Sequence, residues 1–379
     1  MDNRAGAFFS LLLKPASADC NLSCDYCFYL GKKDLYPESK TRRMSHEVLE
    51  QVIRSYLSTS QPVYSMIWQG GEPTLMGDAF FEKVVALQKQ FAPRGARISN
   101  SLQTNATRIS QKLAAHLGRY RFLVGCSLDG PPGMHDRYRK TLRGQGTHSL
   151  VMRGVRTLRQ HRVPVNALVL VSAANVKHPA AVYRHLKDKG FSHLQFVPCL
   201  EFDSKGHPLP YSIGARDWAL FLNRVFDEWY ASDQARISIR LFESLLARLV
   251  FGRAGECVFA ERCDRYFVVE HNGDIYPCDF FVDPGYKIGN IMDLTWEEAL
   301  QSPAYRGFAG LKSQWSLDCD SCDYQSLCLG DCLKYRMHPG QDPRHLSRLC
   351  PGWKLFYAHS LERLQALALE ISKGRPLAC

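Results

Sequence analysis

The chain predicts an α/β fold: a partial (β/α)6 barrel, then a small cysteine-rich region, then a C-terminal helix. Three observations predict it. Short apolar runs alternate with amphipathic segments from residue 1 to about 235. Polar and glycine residues gather where those runs end. The 14 cysteines of the 379 residues fall mostly into two sets, one within Cys20–Cys27 and one within Cys257–Cys350. The bounds that follow are residues 1–235 for the barrel and 236–256 for a connecting helix. Residues 257–352 form the cysteine-rich region, and 353–379 the last helix and tail.

Periodicity predicts strands at Phe8–Leu13, Tyr64–Trp68, Arg97–Leu102, Phe122–Ser127, Val165–Val171 and His193–Val197. Helical patterns fall at His46–Ser58, Asp78–Phe91, Ser110–Tyr120, Val151–His161, Pro179–Lys189 and Trp218–Tyr230. Strand–helix repeats of this size argue for a parallel sheet, and about six units are too few for a closed eight-fold barrel. Further on, His271-Asn272-Gly273-Asp274 marks a hairpin turn. A short helix is expected near Trp296–Leu300 and an amphipathic one over Trp353–Ile371.

Hydrophobic content of 45% suits a packed globular protein. The net charge is +11, but Lys and Arg are scattered, with no run beyond pairs such as Lys32-Lys33. That pattern argues against a nucleic-acid footprint and for a basic surface that attracts acidic partners. No apolar stretch reaches the length of a membrane span, and Phe8–Leu13 lacks the flanks of a signal peptide. The expected location is the cytoplasm, where thiols stay reduced, so the cysteines point to metal and not to disulfides.

The run Cys20-Asn21-Leu22-Ser23-Cys24-Asp25-Tyr26-Cys27 is the most informative motif. Three thiolates on one loop can hold three irons of a four-iron, four-sulfur cube. The fourth iron then stays open, whereas an electron carrier normally uses four cysteines. A zinc knuckle is the competing reading, but no His or Cys lies close downstream to complete one. The second expected strand ends in Gln69-Gly70-Gly71-Glu72-Pro73, the third in Gln103-Thr104-Asn105 and the fourth in Ser127-Leu128-Asp129-Gly130. In parallel α/β folds these strand ends carry the site. The second set is Cys257, Cys263, Cys278, Cys319, Cys322, Cys328, Cys332 and Cys350, enough for two complete sets of four. A two-zinc module is the alternative there, since Cys319-x2-Cys322 suits zinc. Cys126, Cys199 and Cys379 are left over.

The C-x3-C-x2-C loop followed by Phe28-Tyr29 resembles the signature of the radical S-adenosylmethionine enzymes. The resemblance implies that S-adenosylmethionine chelates the open iron, and that one electron cleaves it to a hydrogen-abstracting radical. Gly70, Gly71 and Glu72 resemble the family's GGE motif, and Tyr26, Ser127, Arg139 and Leu200 fall where relatives contact the cofactor. Ser127 would reach the ribose and Arg139 the carboxylate. As ordinary structural residues they are a loop Tyr, a strand-end Ser, a solvated Arg and a core Leu. The second cysteine array resembles the SPASM auxiliary-cluster region. By that resemblance Cys257, Cys263, Cys278 and Cys332 hold one 4Fe-4S cluster, and Cys319, Cys322, Cys328 and Cys350 another, making three clusters in all. Metal would supply much of this region's folding energy, because its own apolar core is thin.

Asp279 follows Cys278 directly. A carboxylate beside an anionic cluster is expected to have a raised pKa, which suits a general base. Leu12-Leu13-Lys14-Pro15-Ala16-Ser17, Asn100–Asn105 and Pro277-Cys278-Asp279-Phe280 together resemble the anaerobic sulfatase-maturating enzymes, from Leu11 to about Tyr357. That resemblance implies oxidation of a Cys or Ser in a C/S-x-P-x-R-type motif of a sulfatase to Cα-formylglycine, without oxygen. Asp279 would be the base, and a flavodoxin or ferredoxin the electron donor. Two other readings stand beside it. One is a peptide maturase of the same architecture that forms thioether or carbon–carbon crosslinks; the other is a non-catalytic iron–sulfur carrier or zinc scaffold.

Overall fold

The computed structural model describes residues 8–38, 41–253, 255–337 and 342–374. Cys379 lies outside them. In chain order the barrel half contains β1 (Ser10–Lys14), α1 (His46–Leu57), β2 (Tyr64–Trp68), α2 (Asp78–Phe91), β3 (Ile98–Thr104) and α3 (Gln111–Arg119). It continues with β4 (Leu123–Ser127), α4 (Pro132–Tyr138), α5 (His148–Gln160), β5 (Val165–Val171), α6 (Pro179–Asp188), β6 (His193–Pro198) and α7 (Ala215–Ser232). Each of the six expected strands and helices is present, with ends shifted by a few residues. The caps explain some of those ends. Ser45 and Ser110 accept hydrogen bonds from the Val48 and Leu113 amides, so α1 and α3 start one residue after each serine.

Strands β1 to β6 pair in sequence order, all parallel, as a partial barrel requires. Alternate residues of β2, β5 and β6 are buried and the others half-buried, the period of a strand with helices on one face and an open lumen on the other. The expected connecting helix is present as α8 (Arg240–Phe251), preceded by a two-residue β7 (Ser238–Ile239) parallel to β6. Gly252 ends it in the left-handed conformation.

The second half does not stand apart. Its β8 (Tyr266–Glu270) runs parallel to β1 and pairs with it over five residues. The hairpin at Asn272-Gly273 leads to β9 (Asp274–Tyr276), and β10 (Gly289–Asn290) closes that edge. The helices α9 (Trp296–Gln301), α10 (Pro303–Leu311), α11 (Gln325–Cys328), α12 (Leu333–Arg336) and α13 (Cys350–Ser372) complete the chain. All ten strands form one sheet, β10-β9-β8-β1-β2-β3-β4-β5-β6-β7. The apolar core is likewise shared: Phe267, Trp296, Tyr335, Trp353 and Phe356 belong to the same buried cluster as Trp68, Trp218 and Trp229. The cysteine-rich region thus shares the main core and keeps beside it only a small cluster of its own, around Cys278, Phe308 and Leu333. Pairing between strands some 250 residues apart leaves no local sequence signal.

Candidate active site

β1 delivers the chain to the cysteine loop at the carboxyl end of the sheet. Cys20, Cys24 and Cys27 are each half-buried there. The loop is laced to the segment after α4: the Ser23 amide donates to Lys140 O at 2.8 Å and the Asp25 amide to Tyr138 O at 3.0 Å. Burial pushes the Cys20 thiol up to about 12, with Glu72, Cys24 and Cys27 adding to the shift. Burial also raises Cys24, to about 11, against the pull of Arg139. To ligate iron these thiols must lose their protons, which a bound cation would favour. The Cys20 sulfur already receives the Leu22 amide at 3.4 Å and the Asn105 amide nitrogen at 3.7 Å. Such donors are the usual surroundings of cluster-bound sulfur.

The Gly70-Gly71 turn packs backbone to backbone against the stem of this loop. The Gly71 amide donates to Ser17 O at 2.6 Å, and a Cβ on Gly71 would lie 2.0 Å from Asp19 O. Gly70 has φ +141, outside the range of L side chains. Glu72 is fully buried, and its carboxylate accepts from the Thr74 amide and hydroxyl, the Thr104 hydroxyl and the Asn105 amide. Its oxygens thus tie the ends of β2 and β3 together. Burial is the main influence on its carboxyl and raises it, against those donors.

Tyr26, Asp129 and Arg139 form a second knot. Arg139 Nε donates to Asp129 at 2.9 Å, the Tyr26 hydroxyl donates to the same carboxylate, and the guanidinium lies over the Tyr26 ring at 5.4 Å. Burial would raise the Asp129 carboxyl, but Arg139, His135 and the Tyr26 hydroxyl together hold it below its ordinary value. Arg139 is thus buried and paired, where the sequence left open a solvated residue. Ser127 sits at the end of β4 and accepts from the Gln103 amide at 3.2 Å; Leu200 is buried just after β6. All these groups lie at the strand ends that bear the cysteine loop.

The eight later thiols sort into two groups by electrostatic reach. Cys278 feels Cys332 and Cys263, and Cys332 feels Cys257 and Cys263. Separately, Cys328 feels Cys350 and Cys319, while Cys350 feels Cys319 and Cys322. Burial is the leading cause of the upward shift in each of these four, reaching about 12 for Cys332. Among the described residues no three His, Cys, Asp or Glu side chains converge closely enough to hold a lone ion. The fit to a cluster rests instead on an all-thiol donor set and on this grouping.

Asp279 joins the two halves. The Lys14 ammonium, at the end of β1, forms an ion pair with it, and the Gln69 amide donates to it at 2.8 Å. Asp279 is therefore held beside the residues that precede the cysteine loop and the glycine pair. Phe28, which follows Cys27, packs on Phe280 at 5.0 Å, a second contact across the same seam. Sequence reasoning set Lys14, Gln69, Asp129 and Asn105 in its motifs but gave none of them a role of its own. Only their position at strand ends could have marked them.

The radical SAM superfamily pattern matches residues 15–186, and an iron–sulfur cluster-binding domain pattern matches 257–323. Fold and site thus define a radical S-adenosylmethionine protein with an auxiliary cluster domain. A cysteine-type anaerobic sulfatase-maturating enzyme of Clostridium perfringens is 37% identical over 96% of this chain and 99% of its own. A serine-type counterpart of Bacteroides thetaiotaomicron is 35% identical over 92% and 88%. The solved structure described as native anSMEcpe with bound AdoMet and Kp18Cys peptide superposes with TM-score 0.90 at 36% identity, over 96% of this chain and 100% of that one. The chain belongs to the anaerobic sulfatase-maturating enzymes.

Proposed function

We propose that the protein oxidises a Cys or Ser side chain of a sulfatase polypeptide to Cα-formylglycine. The observation that carries this reading is Asp279, pinned by Lys14 and Gln69 between the cysteine loop and the auxiliary thiols. Cys20, Cys24 and Cys27 would hold the first cluster. Gly70, Gly71, Tyr26, Ser127, Arg139 and Leu200 would shape the S-adenosylmethionine pocket, with Glu72 fixing its floor. When bound, the clusters and S-adenosylmethionine supply the radical that takes a hydrogen atom from the substrate Cβ and the sink for its second electron. Asp279 accepts the thiol or hydroxyl proton. Lys14 and Gln69 hold its carboxylate in place. A hydroxyl substrate leaves as the aldehyde, and a thiol substrate as a thioaldehyde that water hydrolyses with release of sulfide.

No described helix is long and apolar enough to cross a membrane. None of the described cysteines is paired in a disulfide, and the cytoplasm is the compartment this chemistry fits. A low-potential flavodoxin or ferredoxin is the proposed donor, drawn by the net charge of +11. The test is anaerobic. The reconstituted protein is given S-adenosylmethionine, reductant and paired Cys and Ser sulfatase-motif peptides, and peptide mass is read alongside deoxyadenosine. An aldehyde product is expected from at least one peptide. Deoxyadenosine without peptide change would transfer the reading to a crosslinking peptide maturase.

A further inference from the structure

Two cations are buried where the two groups of auxiliary thiols meet, and the reaction outlined above does not use them. Lys312 follows α10 and is fully buried; Arg336 ends α12 and is 1% exposed. Lys312 Nζ donates to Val258 O at 2.8 Å and to Asp331 O at 2.9 Å. The Arg336 guanidinium donates to the carbonyls of Leu311 and Lys312, each at 3.0 Å, and its buried Nε has no acceptor. Among the described residues, every hydrogen bond these cations make goes to a carbonyl. The nearby Asp331 carboxylate, which takes the Ser347 hydroxyl, lies within electrostatic reach of both cations and offsets part of their charge. Two buried cations against one carboxylate leave a net positive charge, which is costly unless something else offsets it.

The thiols are placed to do so. Lys312 lies within electrostatic reach of Cys257, Cys263 and Cys332 in the first group and of Cys328 in the second. Arg336 reaches Cys263 and Cys332 in the first and Cys319 in the second. The backbone pays attention to the same point. Leu329, Gly330 and Asp331, the link between Cys328 and Cys332, all have positive φ, at 50, 74 and 62. A Cβ on Gly330 would come within 2.7 Å of an Arg336 nitrogen. The chain thus bends around the guanidinium as it passes from one group to the other. Holding the two non-glycine residues left-handed costs about 1–2 kcal/mol each.

We propose that Lys312 and Arg336 form a cationic bridge between the two auxiliary clusters, raising their reduction potentials and favouring entry of the substrate electron at the first. The inference rests on the reading that the eight thiolates hold two clusters. The physical reason is direct: a thiolate-ligated cluster is anionic, each added electron makes it more so, and a buried cation beside it lowers that cost. Lys312 reaches three thiols of the first group and one of the second, so its effect is larger on the first. Both are positioning residues that act through the clusters.

The test is a redox titration of the full holoenzyme followed by electron paramagnetic resonance, with iron and sulfide counted. Lys312→Gln removes the charge and keeps a donor; Lys312→Arg keeps the charge. Lys312→Gln is expected to shift the reduction equilibrium of the first auxiliary cluster about tenfold toward the oxidised form, which is about 59 mV. The second should shift less, the cluster on Cys20, Cys24 and Cys27 should not move, and Lys312→Arg should match the parent. Full iron with unchanged auxiliary potentials, or an equal shift at all three clusters, would overturn the proposal. If Lys312→Gln loses auxiliary iron, Lys312→Arg decides. Retention of iron by the arginine variant supports the bridge, and equal loss by both refutes it. A parent protein holding the iron of one cluster only would instead remove the two-cluster reading itself, and the bridge with it.

Discussion

The barrel half and the cysteine-rich half solve the burial of charge in opposite ways. In the barrel each buried ion has protein partners. Glu72 collects four hydrogen bonds, and Asp129 holds Arg139 and Tyr26. In the second half, Lys312 and Arg336 meet only carbonyls, and the thiols around them are shifted upward chiefly by burial. Apart from its cysteine loop, the barrel half is electrostatically complete as a polypeptide; the other half sets two buried cations among thiols. Both nevertheless share one sheet and one main core. The difference teaches that metal dependence here belongs to loops, the one after β1 and those from Cys257 to the start of α13, and not to the strands that carry them.

The sharpest way to break this comparison is to remove iron. Chelation should lower hydrogen-exchange protection across 257–264 and 311–337 by several orders of magnitude, while β2 to β6 change less than tenfold. Equal loss in both would mean that the halves fold as one metal-dependent unit. Next in size is Glu72→Ala, which strands four donors at the ends of β2 and β3. It should cost about 3–5 kcal/mol in denaturant unfolding, with or without iron. A cost seen only in the iron-loaded protein would show that the barrel is not self-sufficient.

The smallest effect is on pH. Burial lowers His135 to about 4 from an ordinary 6.5. The folded state therefore refuses a proton that the unfolded chain takes. Stability is full above pH 6.5 and falls as pH drops toward 4, with a slope approaching about 1.4 kcal/mol per pH unit. Half-buried His185 is also lowered to about 4 and adds less, because solvent screens it. His135→Gln should flatten that slope in the iron-free protein. An unchanged slope would place the acid sensitivity elsewhere.

Much of this was legible in the sequence because its signals are short-range. The period of two in Val165–Val171 and the cysteine spacings both lie within a few residues. What escaped depends on distance along the chain. Nothing near Tyr266–Glu270 announces that it lies beside β1, and nothing near Asp279 announces Lys14. Arg139 read as a cofactor contact, with a solvated residue as the alternative; its ion pair with Asp129, on the other side of α4, went unread. The counter-charges were hidden for the same reason: an ion pair across the sheet has no sequence period.

The most direct measurement is of Asp279→Asn, scored for deoxyadenosine and aldehyde peptide together. The proposed base, Asp279, belongs to the cysteine-rich half, while the cysteine loop and glycine pair belong to the barrel. Cofactor cleavage should therefore continue near the parent rate while formylglycine falls by about 10²-fold or more. Full aldehyde formation by that variant would contradict the account and leave Asp279 as the partner of Lys14 alone.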